Sequence, residues 1–311
     1  GIASRGLGDV YKRQLLGVTI TGDAFNVFVF LEISSLSTYV LIAQGAHRDK
    51  RALTASYNYL IMGTIGATFF VIGVGFLYMA TGTLNMADLA DRIENQYDSR
   101  TVRAAFAFIM VGMGLKVAIF PLHLWLPNAY TYAPSAITSF LAATATKVAI
   151  YVMLRFLFSV FQPGFLAEVP ALDLILYPFA ILAMFAASYT AILQRDLKHM
   201  LAYSSIGQVG YMLLGIALLS ESGLMATMIH LFNHGITKAA LFMGVGVYVL
   251  NGGGSFYHNL RGRGKTMPWT SAAMVVAGLS LIGVPGTAGF LSKWLLVEAA
   301  LAQSIWPIAL M

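Results

Sequence analysis

Long apolar runs, almost free of charge, leave this chain one way to satisfy its backbone. In hydrocarbon every N–H and C=O must find a partner within its own segment, which an α-helix provides and a lone strand does not. Eight such runs lie at about 15–43, 53–80, 103–130, 134–160, 171–193, 199–219, 224–250 and 270–302. Each holds the roughly 20 residues that cross about 30 Å of bilayer at about 1.5 Å per residue. They show no period-two alternation and exceed the roughly 10 residues of a porin strand. Only 10% of residues are charged and 58% are hydrophobic, against about 25% charged in a typical soluble domain. The expected fold is all-α and polytopic, with about eight transmembrane helices, two of them broken.

Charge follows the same segmentation. Arg48, Lys50 and Arg51 come after the first run, Arg195 and Lys198 after the fifth, and Arg261, Arg263 and Lys265 after the seventh. The intervening loops carry Asp88, Asp91, Glu94 and Asp98, then Glu168 and Asp173, then Glu221, although Arg92, Arg100 and Arg103 flank the first group. Alternating spans place the basic loops on one side, which the positive-inside rule makes cytoplasmic. The net charge of +6 is therefore a topology signal, and no nucleic-acid partner is expected. Residues 1–14 are polar, carry Arg5, Lys12 and Arg13, and lack the apolar core of a signal peptide. They read as an artefactual or disordered leader. The chain closes at Met311 within apolar sequence, so a piece of a longer protein is expected.

Five ionisable residues fall well inside apolar runs, where each costs roughly 2.5–3.5 kcal/mol on insertion scales and is a functional candidate by default. They are Glu32, Lys116, Lys147, Lys238 and Lys293. Glu32 and Lys116 suit either a static ion pair that fixes helix register or a pair that opens and closes with a proton. Lys147, Lys238 and Lys293 have no evident carboxylate partner, and burial without a counter-charge favours a neutral amine that can relay protons. Snorkelling to an interface is the alternative for each.

His230, His234 and Lys238 recur at every fourth position, which lines them along one helix side over about 12 Å. Imidazoles pass protons between their two nitrogens near neutral pH. A metal would need further ligands, and no carboxylate or cysteine follows on that helix; no metal and no cofactor are expected. Pro121 and Pro285 interrupt the third and eighth runs; each alone reads as a kink that improves packing, but paired breaks in two halves often mark inverted repeats and an ion site near the midplane. His123 either extends the Lys116 region or bonds the broken helix. Asp23 reads as an N-cap. Ser204, Ser205 and Gln208 either carry water or sodium or simply permit close helix packing.

Enzyme signatures are absent from the sequence. Gly264-Lys265-Thr266 resembles the end of a phosphate loop, but Asn259 stands where the earlier glycine is required. No dinucleotide fingerprint, nucleophile elbow or zinc motif occurs. The chain reads as an ion-transport subunit, not an enzyme.

The stretch Thr21 to Ile33, TGDAFNVFVFLEI, resembles the fifth-helix motif of the proton-translocating antiporter-like subunits. That family is shared by Mrp-type cation/proton antiporters, respiratory complex I and membrane-bound hydrogenases. KVAIFPLHLWLP from Lys116 resembles its broken seventh helix; LAYSSIGQVG from Leu201 and HLFNHGITKAALF from His230 resemble its tenth and eleventh. The resemblance implies a fourteen-helix fold of two inverted five-helix repeats, here spanning residues 15–160 and 161–311. It implies Glu32 and Lys116 as the controlling pair and Lys147 as central relay. His230, His234 and Lys238 would connect the halves, with Lys293 on the exit side. Other membrane subunits, the lipid bilayer, protons and a monovalent cation (sodium or potassium) are the implied partners, in a bacterial cytoplasmic membrane. The form of the first motif together with Lys293 is most similar to the D-type subunit of Mrp antiporters. A proton-pumping complex I or hydrogenase subunit, and a non-conducting scaffold, are the alternatives.

Overall fold

The computed structural model describes residues 2–169, 172–252, 254–303 and 305, and among these it contains helices and turns but no sheet. Gly1 and Met311 lie outside the described residues, as does the side chain of Asp173. Along the chain run α1 (Ile2–Ile20), α2 (Ala24–Ala43), α3 (Arg51–Thr81), α4 (Met86–Ile93), α5 (Arg100–Val117), α6 (Trp125–Tyr132) and α7 (Ser135–Leu154). They continue with α8 (Gln162–Glu168), α9 (Leu172–Ile192), α10 (Leu197–Ala217), α11 (Glu221–Gly252), α12 (Tyr257–Leu260), α13 (Arg263–Thr266), α14 (Pro268–Ile282) and α15 (Ala288–Ala302). Six stretches among the described residues are long and apolar enough to cross a membrane: Ala24–His47, Arg51–Thr81, Ser135–Val160, Ile175–Ile192, Leu197–Ala217 and Glu221–Gly252.

The other two expected runs are each split, into α5 with α6 and α14 with α15. Helix α5 stops at Ala118, whose φ of 64° is left-handed, a conformation that costs a non-glycine residue about 1–2 kcal/mol. Pro121 then removes a backbone donor before α6 can begin. Helix α14 stops at Gly283 with φ 91°, and Gly286 follows at 89°; without a Cβ both adopt that region readily.

The first run is shorter than its hydropathy suggests. Asp23 ends it at residue 24, because its carboxylate accepts from the backbone N–H of Asn26 at 2.7 Å and starts a new helix. Residues 2–20 form one helix, in which Tyr11, Leu15 and Val18 are buried at the i, i+4, i+7 spacing of a single face.

Two compact units emerge from the packing, one of residues 1–118 and 148–172, the other of 119–147 and 173–311. In the first, α3 lies along α5 and α2, and α1 along α2. Gly66 and Gly112 bring α3 and α5 close: a Cβ on Gly112 would stand 2.6 Å from the Gly66 oxygen and 2.7 Å from the Phe70 nitrogen. Small residues at such crossings let backbones meet where lipid gives no hydrophobic drive. Phe106, Phe161 and Phe165 pack ring to ring behind this contact. The Arg155 guanidinium donates to the Thr21 carbonyl at 2.8 Å, tying the π-helical turn Arg155–Val160 to the α1–α2 break.

In the second unit α10 is buried on most of its surface and packs against α6, α11 and, more lightly, α15; α11 also carries α14 and α15. The start of α10 repeats the device that starts α2. Asp196 caps it through the N–H groups of Lys198 and His199 and forms an isolated bridge to Phe256, as Asp23 does to Asn85. Each unit thus runs from an Asp-capped helix through a long helix to a return bridge.

Gly112→Ala is expected to lower the melting temperature in detergent, because overpacking costs about 1–3 kcal/mol, more than the roughly 1 kcal/mol gained in helix propensity. Gly75→Ala, whose Cβ would meet nothing within 4 Å, should leave it unchanged or higher. Equal melting curves for the two variants would contradict the close α3–α5 contact.

Candidate functional site

In the first unit, Glu32 sits nine residues past the Asp23 cap and Lys116 two residues before α5 gives way at Ala118. Lys116 Nζ lies 3.3 Å from Glu32 Oε1 and donates to Ser35 Oγ at 2.6 Å. The lysine side chain is 9% exposed and the glutamate 26%, so one end of the pair is enclosed and the other reachable. A Cβ on Gly63 would stand 3.8 Å from this Nζ, so α3 leaves the ammonium the room it occupies. At an effective dielectric of about 20 the pair's gross attraction is about 5 kcal/mol, which desolvation of several kcal/mol per ion largely offsets.

In the second unit, carbonyls and hydroxyls receive the ammonium hydrogens. Lys147, 5% exposed, donates to the Ala142 carbonyl at 2.5 Å and to Thr146 Oγ1 at 3.3 Å. Lys238, fully buried, donates to the Leu201 carbonyl at 2.7 Å and makes a short contact to Ser204 Oγ. Lys293 donates to the Ile282 carbonyl at 3.0 Å, freed where α14 breaks, and its Nζ stands 4.5 Å over the Tyr211 ring. Among the described residues none of the three forms an ion pair.

The His230 and His234 rings are nearly parallel, 9° apart with centroids at 6.1 Å. His230 Nδ1 shares a hydrogen bond of 2.9 Å with Ser292 Oγ. Its Nε2 and both nitrogens of His234 are buried without a partner among the described residues. Those three nitrogens can accept or donate without first breaking a protein bond. Gly235 lets α7 approach beside them: a Cβ there would meet the Ala143 oxygen at 3.2 Å and Lys147 Cγ at 4.0 Å.

The remaining candidates divide. His123 is buried, stacked on Phe120 at 5.1 Å, with Nδ1 unpartnered among the described residues. Ser204 serves Lys238, whereas Ser205 bonds back to the Leu201 carbonyl at 3.1 Å. Gln208 is buried with Oε1 unpartnered among the described residues. Pro121 and Pro285 are exposed at their breaks.

Several residues at these sites are not singled out by sequence alone. Lys198, expected among the loop cations, is 6% exposed and donates to the Ala133 carbonyl at 3.0 Å; it sits in the first turn of α10, because Asp196 starts that helix two residues earlier. Ser35 bonds Lys116, and the Tyr59 hydroxyl stands beside Ser35 and Thr38. The available signal is the run Ser34, Ser35, Ser37, Thr38 just after Glu32. Ser292, beside Lys293, and Tyr211 are marked only by being polar within apolar helices.

Residues 21–311 match the family described as NADH:quinone oxidoreductase/Mrp antiporter, TM. The N-type subunit of NADH-quinone oxidoreductase from Desulforudis audaxviator is 44% identical over 295 residues, covering 95% of this chain and 58% of that protein. The D-type subunit of the Na(+)/H(+) antiporter from Alkalihalophilus pseudofirmus is 35% identical, covering 94% and 58%. The chain thus spans less than two thirds of the length of these relatives. Among solved structures, the Mrp complex from a Dietzia species superimposes with a TM-score of 0.89 at 30% identity, over 97% of this chain and 56% of that one. An archaeal membrane-bound sulfane sulfur reductase gives 0.83 at 35%, over 94% and 59%. Sequence match and backbone together show that the chain belongs to the NADH:quinone oxidoreductase/Mrp antiporter transmembrane family.

Proposed function

We propose that this chain is part of a membrane subunit that translocates protons in a multisubunit exchanger of protons for a monovalent cation, sodium or potassium. The observation that carries the reading is the set of ionisable side chains placed among apolar helices: one lysine paired to Glu32, three held by neutral groups, and two stacked imidazoles. Packing alone gives no reason to keep groups that cost several kcal/mol each. Protonation of Glu32 ends its attraction for Lys116 and leaves that ammonium able to hand on a proton. In the second unit, Lys147, Lys238 and Lys293 hold or release protons, and the free nitrogens of His230 and His234 pass them along α11. The recurrence of capped helix, long helix and bridge supports two repeats, at residues 15–160 and 161–311, each contributing one arm.

The partners in this reading are the other membrane subunits of such a complex, with the basic loops on the cytoplasmic side of a bacterial inner membrane. A second reading, favoured by the 44% identity to an NADH-quinone oxidoreductase subunit, makes the same groups the pumping path of a redox-driven complex. Inside-out vesicles separate the two. A sodium or potassium pulse that moves protons without an electron donor supports exchange; proton movement only during electron transfer supports the redox-coupled pump.

Glu32→Gln is expected to abolish proton flux in either assay while the protein still assembles. Wild-type flux in a correctly inserted variant would refute the reading and favour a non-conducting scaffold.

Lys238→Met should abolish flux yet leave the melting temperature equal or higher, since replacing a buried charge by an apolar chain of similar size is often neutral or stabilising. The Leu201 carbonyl keeps the Ser204 and Ser205 hydroxyls. A large drop in melting temperature would instead assign Lys238 a structural role.

The sequence contains no cysteine, so single introduced thiols report sidedness cleanly. In inside-out vesicles an impermeant maleimide should label Lys50→Cys and spare Asp91→Cys; the reverse pattern would invert the topology.

A further inference from the structure

Lys116 has two acceptors, and the closer one is not the carboxylate. Its Nζ is 2.6 Å from Ser35 Oγ and 3.3 Å from Glu32 Oε1. Ser35 follows Glu32 by three residues, the spacing that puts two side chains on one helix face, and both meet α5 there. A serine hydroxyl has one hydrogen and two lone pairs. Ser35 donates its hydrogen to the Leu31 carbonyl at 2.8 Å. Its oxygen then faces the Lys116 ammonium and the Tyr59 hydroxyl. The group is 6% exposed and fully engaged, so it has no freedom to turn away.

We propose that Ser35 is a positioning residue of the Glu32–Lys116 pair, a fixed and permanently uncharged acceptor that keeps Lys116 Nζ beside Glu32 whether or not the carboxylate holds a proton. This rests on the proton-translocation reading above and adds to it. An ammonium held by Glu32 alone would leave the site each time that carboxylate was neutralised, and would have to return across an apolar gap. With Ser35 in place, loss of the carboxylate charge removes one of two contacts and the nitrogen stays within reach of re-pairing. The Tyr59 hydroxyl, from α3, stands against Ser35 and Thr38 and closes the far side of the acceptor.

The neighbouring hydroxyl supplies the control. Ser34 Oγ also donates to the Leu31 carbonyl at 2.8 Å and is equally buried, but makes no bond to Lys116. Proton flux should be measured in inside-out vesicles from cells expressing the complete polypeptide with Ser35→Ala, Ser35→Thr, Ser34→Ala and Glu32→Gln at matched protein levels. Ser35→Ala is expected to lose roughly tenfold in flux, since small misplacement of a reacting group costs that much or more. Ser35→Thr, which restores the hydroxyl, should recover most of it, and Ser34→Ala should stay within about twofold of wild type. Wild-type flux in Ser35→Ala, an equal loss in Ser34→Ala, or no recovery in Ser35→Thr would each overturn the assignment. Should Glu32→Gln conduct normally, the functional reading itself fails; should it be inactive while Ser35→Ala is normal, only the role of Ser35 falls.

Discussion

An ammonium group in hydrocarbon must be given acceptors by the protein, and the rest of this structure is arranged around that requirement. Lys147, Lys238 and Lys293 take backbone carbonyls from Ala142, Leu201 and Ile282, supplemented by Thr146, Ser204 or the Tyr211 ring. Carbonyls and hydroxyls solvate a positive charge without fixing it, because they carry only partial charges. A carboxylate at each lysine would have bound every proton tightly. Among the described residues one of the four lysines faces a carboxylate, and the others face neutral groups.

Two of the lysine acceptors stand where a helix ends. The Ile282 carbonyl is available because α14 closes at a left-handed Gly283. Ala133, which receives Lys198, lies just past the end of α6. Glycine does the complementary work of proximity: Gly66 and Gly112 draw α3 onto α5 so that Lys116 reaches α2, and Gly235 admits α7 beside the histidines. A wider crossing would leave room for lipid chains, and the ammonium would lose its partners.

The sequence shows which residues are out of place but not what compensates them. Glu32, Lys116, Lys147, Lys238 and Lys293 stand out because a charge within an apolar run has no bland reading of equal weight. Pro121 and the Gly283–Gly286 stretch mark both breaks, and Asp23 marks its own helix start, since these act through the local backbone. The acceptors are hidden for the opposite reason. A serine in an apolar helix can bond its own preceding turn, as Ser34 does, and only the neighbouring helix tells it apart from Ser35. Lys198 reads as a loop cation because nothing local reveals that α6 ends against it. Residues 2–20 form a helix through contacts with α2, which composition does not record.

The two capped helices show how one scaffold can host different chemistry. Counting from Asp23, the ninth, twelfth and fifteenth residues are Glu32, Ser35 and Thr38; counting from Asp196, they are Ser205, Gln208 and Tyr211. Each residue of the set neighbours the next at a spacing of three, and each set meets a lysine: Lys116 at Glu32 and Ser35, Lys293 at Tyr211. The same positions thus hold a carboxylate and hydroxyls in one unit, and a hydroxyl, an amide and an aromatic ring in the other. A lysine facing the first set can be captured by a full negative charge. A lysine facing the second meets only dipoles and a quadrupole. With Glu32 at one of these positions and Ser205 at its equivalent, Lys116 has a full negative charge beside it and Lys293 a neutral ring.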